Sequence, residues 1–227
     1  MPEDFAADVV SVAALSEPIR LELYRYVVAQ DEPVSREKAA AGVGVPHHVV
    51  KFNLDRLVTD GLLEVEYRRP PGRTGPGAGR PAKLYRRAAR DISISLPERR
   101  YELAGRVMAE AITIAGRDGV PIDDAVHTAA RTVGRRIGES AEVDAATPVR
   151  EAVSETLASY GYEPRVIDDE IVLANCPFHS LAADYTQLMC GMNLDLIEEL
   201  VKAVRPGAFL AALNPGLDRC CVTIAKT

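Results

Sequence analysis

In "SREKAAAGVGVPHHVVKFNLDRLVTDG", Ser35 to Gly61, a short Ala-rich stretch is followed by glycines and then by a longer amphipathic run. Ser35 is a suitable N-cap for the first helix, and Gly42 and Gly44 end it and turn the chain. Pro46 opens the second helix and Gly61 closes it, with His47, Val50, Leu54, Leu57 and Val58 on one stripe. Short helix, tight turn and longer helix form a helix-turn-helix pattern.

The flanks extend that pattern on both sides. Upstream, "SEPIRLELYRYVVAQ" offers Ser16 as an N-cap, Pro18 in the first turn, and Ile19, Leu23, Tyr26 and Val27 at helical spacing. Downstream, "LLEVEYRR" alternates as a strand does, "PPGRTGPGAGRPAK" cannot be regular structure, and "LYRRA" supplies a returning strand. A helix-turn-helix followed by such a hairpin is a winged helix. On the second helix, at 100° per residue, His48, Val49, Phe52, Asp55, Arg56 and Thr59 stand opposite the apolar stripe, flanked by Lys51 and Asn53. His48, Lys51 and Asn53 have the chemistry to bond bases or phosphates, and Phe52 to touch a thymine methyl. Arg68, Arg69, Arg73, Arg80 and Lys83 of the hairpin suit a phosphate backbone or the minor groove.

The charge distribution agrees with double-stranded DNA as a partner. Net charge is -6 over 227 residues, yet residues 67–90 contain eight basic side chains and no acidic one. A basic patch on an acidic protein is an electrostatic footprint for phosphates. No apolar run is long enough to cross a membrane, and the acidic start "MPEDFAADVV" is unlike a signal peptide, so the expected location is the cytoplasm.

Beyond Leu96 the pattern becomes helical, then mixed. "LPERRYELAGRVMAEAITIAGRDG" carries Leu103, Val107, Ala111, Ile112 and Ile114 on one helix, and "IDDAVHTAARTVGRRIGE" and "PVREAVSETLASYGY" supply two more. "YEPRVIDDEIVLANC" reads as two strands about an Asp168-Asp169 turn. "HSLAADYTQLMCGMNLDLIEELVKAV" reads as helix broken near Gly191, and "AFLAALNPGLDRCCVTIA" as two strands about Asn214-Pro215-Gly216.

The chain has four cysteines, and in a reducing compartment they favour metal or redox chemistry over structural disulfides. Cys176 falls at a strand end, His179 at a helix start, Cys190 at the helix break, and Cys220 and Cys221 on the final strand. Neighbours on a strand point to opposite faces, so Cys221 is the better ligand and Cys220, on the face of Val222 and Ile224, belongs to the core. Three cysteines with His179 as a fourth donor suit tetrahedral zinc or an iron-sulfur cluster, and buried core thiols would leave the same spacing.

Taken together, "VVKFNLDRLVTDGLLEVEYRR", "GPGAGRPAKLYRR", "NCPFHSLAADYTQLMCGMNLDLIEELV" and "RCCV" resemble ArsR-like winged-helix regulators related to the SufR iron-sulfur cluster-sensing repressors. The resemblance spans nearly the whole chain, and its late cysteine set is its most specific part. It implies a homodimeric repressor whose operator affinity follows an iron-sulfur cluster, 4Fe-4S favoured, on Cys176, Cys190 and one of Cys220 and Cys221. The expected fold class is α+β. An N-terminal winged helix-turn-helix spans residues 1–90, a helical dimerisation linker 91–146, and a C-terminal α+β sensor domain 147–227.

Other classes leave weaker marks. Zinc, a thiol switch between Cys176 and Cys190, or an organic effector would each keep the DNA-binding half. An enzyme is not expected, because the chain has no Gly-rich phosphate loop or serine elbow, and His47, His48, His127 and His179 offer few general bases.

Overall fold

The helices and strands of the described residues sort into two units. The computed structural model describes residues 3–69, 81–144 and 146–227. The chain divides between Ile94 and Ser95.

In the first unit the elements run α1 (Glu3–Ala14), α2 (Pro18–Val28), β1 (Val34–Ser35), α3 (Arg36–Val43), α4 (His47–Thr59), β2 (Leu63–Arg68) and β3 (Ala82–Arg87). Ser35 caps α3 by accepting from the Lys38 N–H at 3.2 Å, and Gly44 ends that helix at φ 74°, where a side chain would strain the backbone. The cap of α2 is Glu17, not Ser16: its carboxylate accepts from the backbone N–H groups of Ile19 and Arg20. Ser16 instead donates to the Ala13 carbonyl and closes α1, because two carboxylate oxygens placed one residue closer satisfy two orphan donors at once.

The wing is a three-stranded antiparallel sheet in the order β1-β3-β2. Strand β1, just ahead of α3, is not among the elements read from the sequence. Its two residues, paired as Val34 with Tyr85 and Ser35 with Leu84, were too few to show alternation. Leu23, Val27, Val50, Leu54, Leu57 and Tyr85 are buried together beneath the sheet.

The second unit contains α5 (Tyr101–Asp118), α6 (Ile122–Ser140), α7 (Val149–Ser159), β4 (Pro164–Ile167), β5 (Glu170–Leu173), α8 (His179–Asp184), α9 (Thr186–Val204), β6 (Phe209–Leu213) and β7 (Val222–Lys226). Its sheet is antiparallel in the order β4-β5-β7-β6, and Asp168 and Asp169 both take positive φ in the turn between β4 and β5. Ile171, Leu173, Val222 and Ile224 join Leu196, Ile197 and Leu200 of α9 in one core. Helices α5 and α6, expected to form a separate linker, pack in that same core. On α5 the buried residues are Ala104, Val107 and Ala111, whereas Ile112 is 65% exposed, one step of 100° off the stripe.

Helix α6 meets α9 at backbone distance. A Cβ on Gly134 would stand 2.1 Å from the Leu196 carbonyl oxygen, and one on Gly138 2.5 Å from that of Leu200. Charged side chains clamp the same seam: Arg131 to Asp195 at 2.9 Å and Arg135 to Glu199 at 2.8 Å. His127 also bonds Asp195, which accounts for that histidine as a satisfied group beside the seam. None of the described helices is long and apolar enough to cross a membrane.

Candidate DNA-reading surface and thiol centre

Apolar periodicity orients α4. Val50, Leu54 and Leu57 are buried, which leaves His48, Lys51, Phe52 and Arg56 on the outer face. Phe52 is 70% exposed, an uncommon state for a phenyl ring unless it has something to meet. Asn53 departs from the sequence expectation. It sits three residues after Val50 on the buried stripe, is 6% exposed, and donates to the Val49 carbonyl at 3.0 Å, so it is turned away from the outer face.

The expected cations divide into bound and free. Arg56 is paired with the buried Asp60 carboxylate at 2.8 Å, and Arg68 with Glu66 and Glu32 at 3.0 and 3.1 Å. Lys83 donates to Asp55 at 2.6 Å. Lys51 and Arg69 have no ion-pair partner among the described residues. Arg73 and Arg80 lie outside the described residues. A cation with no ion pair to give up can neutralise a phosphate at no cost to an existing pair, which makes Lys51 the clearest candidate for an electrostatic contact. Lys51→Ala is expected to weaken binding to specific and random duplex alike and to reduce the slope of log affinity against log salt by about 1, measured by titration at several salt concentrations.

Asp55, read from the sequence as part of the exposed face, is the hub of a network that joins α4 to the wing. It accepts two bonds from Arg36 at 3.0 Å, one from Lys83 and one from the Tyr85 hydroxyl at 2.7 Å. Partial burial pushes its pKa upward, but the donors Lys83, Tyr85 and Arg36 outweigh burial and hold the carboxyl below its usual range. Burial first, and the Asp55 carboxylate second, push the Tyr85 phenol upward. A depressed carboxylate stabilises the fold above its unfolded pKa, and that stability is lost as pH falls through the folded value. Asp55→Ala is therefore expected to destabilise the first unit by about 1–3 kcal/mol at neutral pH, chiefly because the buried Tyr85 hydroxyl loses its acceptor. The ionic part is smaller, since the carboxylate is 36% exposed and screened. Parallel denaturant titrations should show the difference shrinking below about pH 4.

Four thiols meet in the second unit. Cys176 lies in the segment between β5 and α8, Cys190 in the second turn of α9, and Cys220 and Cys221 just before β7. Each thiol lies close enough to a neighbour to perturb its titration, Cys176 with Cys220, Cys220 with Cys221 and Cys221 with Cys190. One sequence expectation is corrected: the helix breaks at Tyr185, and α9 runs on through Gly191, so Cys190 is held on a regular helix. Cys220 and Cys221 fall just before the strand; Cys220 is buried in the core with Val222 and Ile224, as the sequence suggested, and Cys221 is partly exposed.

Cys220 is 1% exposed and takes a 3.3 Å bond from the Asn193 amide. Asn193 accepts in turn from the Tyr162 hydroxyl. Arg99 donates to the Cys176 carbonyl at 3.1 Å and is held by Asn175. His179 is exposed on the first turn of α8 and is not among the groups acting on the thiols.

The electrostatics favour the protonated form of Cys176, Cys190 and Cys220. Neighbouring Cys220, then burial, pushes Cys176 far up, and burial pushes Cys190 up. Cys176 pulls Cys220 down, but Cys221 and burial together carry it to about 11. Among the described residues no group of three or more His, Cys, Asp and Glu side chains is arranged to hold a metal ion.

Asn193, Tyr162, Arg99 and Asn175 were not singled out from the sequence. Only Asn193 left a signal there: it falls three residues after Cys190, a polar side chain on the apolar stripe of α9.

A family model described as a helix-turn-helix domain matches residues 15–66, from just before α2 into β2. No curated protein and no solved structure matches the chain. The match and the winged-helix geometry support a DNA-binding transcriptional regulator, a class whose members are typically not enzymes.

Proposed function

We propose that the protein is a cytoplasmic repressor, acting as a homodimer, whose grip on its operator is set by an iron-sulfur cluster held through Cys176, Cys190 and one of Cys220 and Cys221. One observation carries this proposal: the chain that bears a winged helix also brings four thiols from three separated segments close enough to act on one another, with Cys220 buried and the other three partly so.

The donor chemistry fits such a group. Thiols are the soft ligands that iron-sulfur clusters take, one to each iron, and an N–H donor on a ligating sulfur is the kind of second contact that tunes them. A bound cluster supplies redox- and iron-sensitive chemistry. The chain's own part is to connect the β5–α8 segment, α9 and the segment before β7 at one place. Holding these three together in one arrangement favours one dimer geometry and so one spacing of two recognition helices, which two half-sites must match. This requires the cluster to bind the two geometries unequally.

A second copy of this chain is the partner, because one recognition helix reads only a half-site. Helix α1, with Val9, Val10 and Val12 exposed and no basic residue in its last turn, offers apolar surface to such a copy.

The thiol pairs also favour a second proposal, a disulfide switch. Its natural pairs are Cys176 with Cys220 and Cys190 with Cys221, in place of the Cys176–Cys190 bridge that the sequence suggested. The raised thiol pKa values weigh against it, because reactive sensor cysteines are thiolates with pKa values shifted downward.

The deciding experiment is iron and acid-labile sulfide analysis of anaerobically purified protein, with visible absorption and an operator shift assay before and after oxygen. Stoichiometric iron and sulfide, together with a change in operator affinity on their loss, is the expected result. Colourless, iron-free protein that regulates normally overturns the cluster; stoichiometric zinc without sulfide, or a reversible disulfide in metal-free protein, replaces it.

A further inference from the structure

We infer that Asn193 is the positioning residue of the thiol centre and that Cys220, not Cys221, is the third sulfur it presents to a cluster; the ligand assignment rests on the cluster proposal above. Asn193 is 1% exposed in the middle of α9, among Met189, Met192, Leu196 and Ile197. A primary amide buried on an apolar stripe is costly unless both of its ends are bonded. Both ends are. The oxygen accepts from Tyr162, and the nitrogen donates to the Cys220 sulfur at 3.3 Å.

The direction of these two bonds is informative. A thiol can donate or accept, so a free Cys220 would tolerate the amide either way round. A sulfur bound to a metal has lost its proton and can only accept, so it demands the nitrogen. The amide already presents the nitrogen, and the Tyr162 hydroxyl, donating to the amide oxygen, holds it so. Tyr162 is itself fixed, buried edge-on against Phe178 with ring planes at 88°. Phe178 lies two residues after Cys176, so the same packing ties the first cysteine segment to the donor on the last.

Cys220 thus receives the Asn193 amide, whereas no hydrogen bond reaches the Cys221 sulfur among the described residues. Once a metal displaces the thiol proton, an N–H donor on that sulfur offsets part of its charge. An N–H bond to a ligating sulfur also favours the reduced cluster, raising its potential.

The test uses the full-length chain as wild type, Asn193→Leu, Tyr162→Phe, the double variant Tyr162→Phe/Asn193→Leu, Cys220→Ser and Cys221→Ser. Replacing both members of a buried hydrogen bond with apolar groups of similar shape is close to neutral, so the double variant guards against simple misfolding. Two readouts are taken on the double variant: the midpoint potential of the iron-loaded protein, and the alkylation rate of each cysteine in the iron-free protein, resolved by peptide mass spectrometry.

The double variant is expected to load iron but to shift its reduced-to-oxidised ratio about tenfold, or about 59 mV downward for one electron. In its iron-free form Cys220 should alkylate about tenfold more slowly, because the donor that stabilises its thiolate is gone, while Cys190 is unchanged; general loosening would speed both. Iron should be lost in Cys220→Ser and kept in Cys221→Ser. Unchanged potential and unchanged Cys220 alkylation in the double variant overturn the role of Asn193, and iron loss confined to Cys221→Ser overturns the assignment of Cys220. Wild type that takes up no iron or sulfide overturns both the cluster proposal and the ligand assignment, while Cys220 alkylation still decides whether Asn193 positions that thiol.

Discussion

Gly134→Ala is expected to lower the melting midpoint of the C-terminal unit by about 10 °C, while Gly105→Ala and Gly116→Ala raise it slightly. All three glycines lie inside helices, where alanine is intrinsically favoured by up to about 1 kcal/mol. At Gly105 and Gly116 an added Cβ meets nothing within 4 Å, so that gain is realised. At Gly134 it would stand 2.1 Å from a backbone oxygen of α9, and no flexible side chain is there to yield. The helices must separate. Overpacking of this kind typically costs about 1–3 kcal/mol and more when backbone must move, so a net loss of about 2–3 kcal/mol remains after the helix gain. At about 4 °C per kcal/mol for a unit of this size, that gives the stated shift. Gly134→Val, with two further methyl groups in the same place, should prevent the unit from folding. Calorimetry on the four proteins checks the signs, and a Gly134→Ala midpoint equal to wild type would show that α6 and α9 do not meet as described.

Cys176→Ser is expected to remove iron and sulfide from the protein and with them any response of operator binding to oxygen. Serine differs from cysteine by one atom and keeps a hydroxyl able to donate to Cys220, so the fold should survive with a loss within about 1 kcal/mol. The loss of metal should be complete, because a neutral hydroxyl does not replace a soft thiolate on iron. Iron, sulfide and near-ultraviolet circular dichroism on the same preparation separate failed loading from failed folding. A folded Cys176→Ser protein with wild-type iron and sulfide would remove Cys176 from the centre.

The winged helix was legible because its signals are local. Ser35, Gly44 and Pro46 mark turns by backbone chemistry alone, and Val50, Leu54 and Leu57 mark a face by spacing. Asp55 was not legible as a hub. Its donors are Arg36, on a preceding helix, and Lys83 and Tyr85, on a strand beyond the hairpin tip, and no helical wheel shows which exposed acid a distant strand will reach. The same limit governs the thiols. Spacing named the four cysteines and placed Cys220 in the core, where it is buried with Val222 and Ile224, but could not show that the Asn193 amide would reach its sulfur. The α6–α9 seam was hidden for another reason: glycines four apart inside a polar-looking helix resemble weak helix until the neighbouring backbone is in view.

The division between Ile94 and Ser95 also bears on how the protein is made. The DNA-reading unit is built from consecutive segments, so it can fold as it emerges during synthesis, while Cys220 and Cys221 are still untranslated. At about 5–20 residues per second, roughly 6 to 25 seconds pass before the last thiol exists. Each new molecule therefore completes its winged helix before the last thiols of the proposed centre exist.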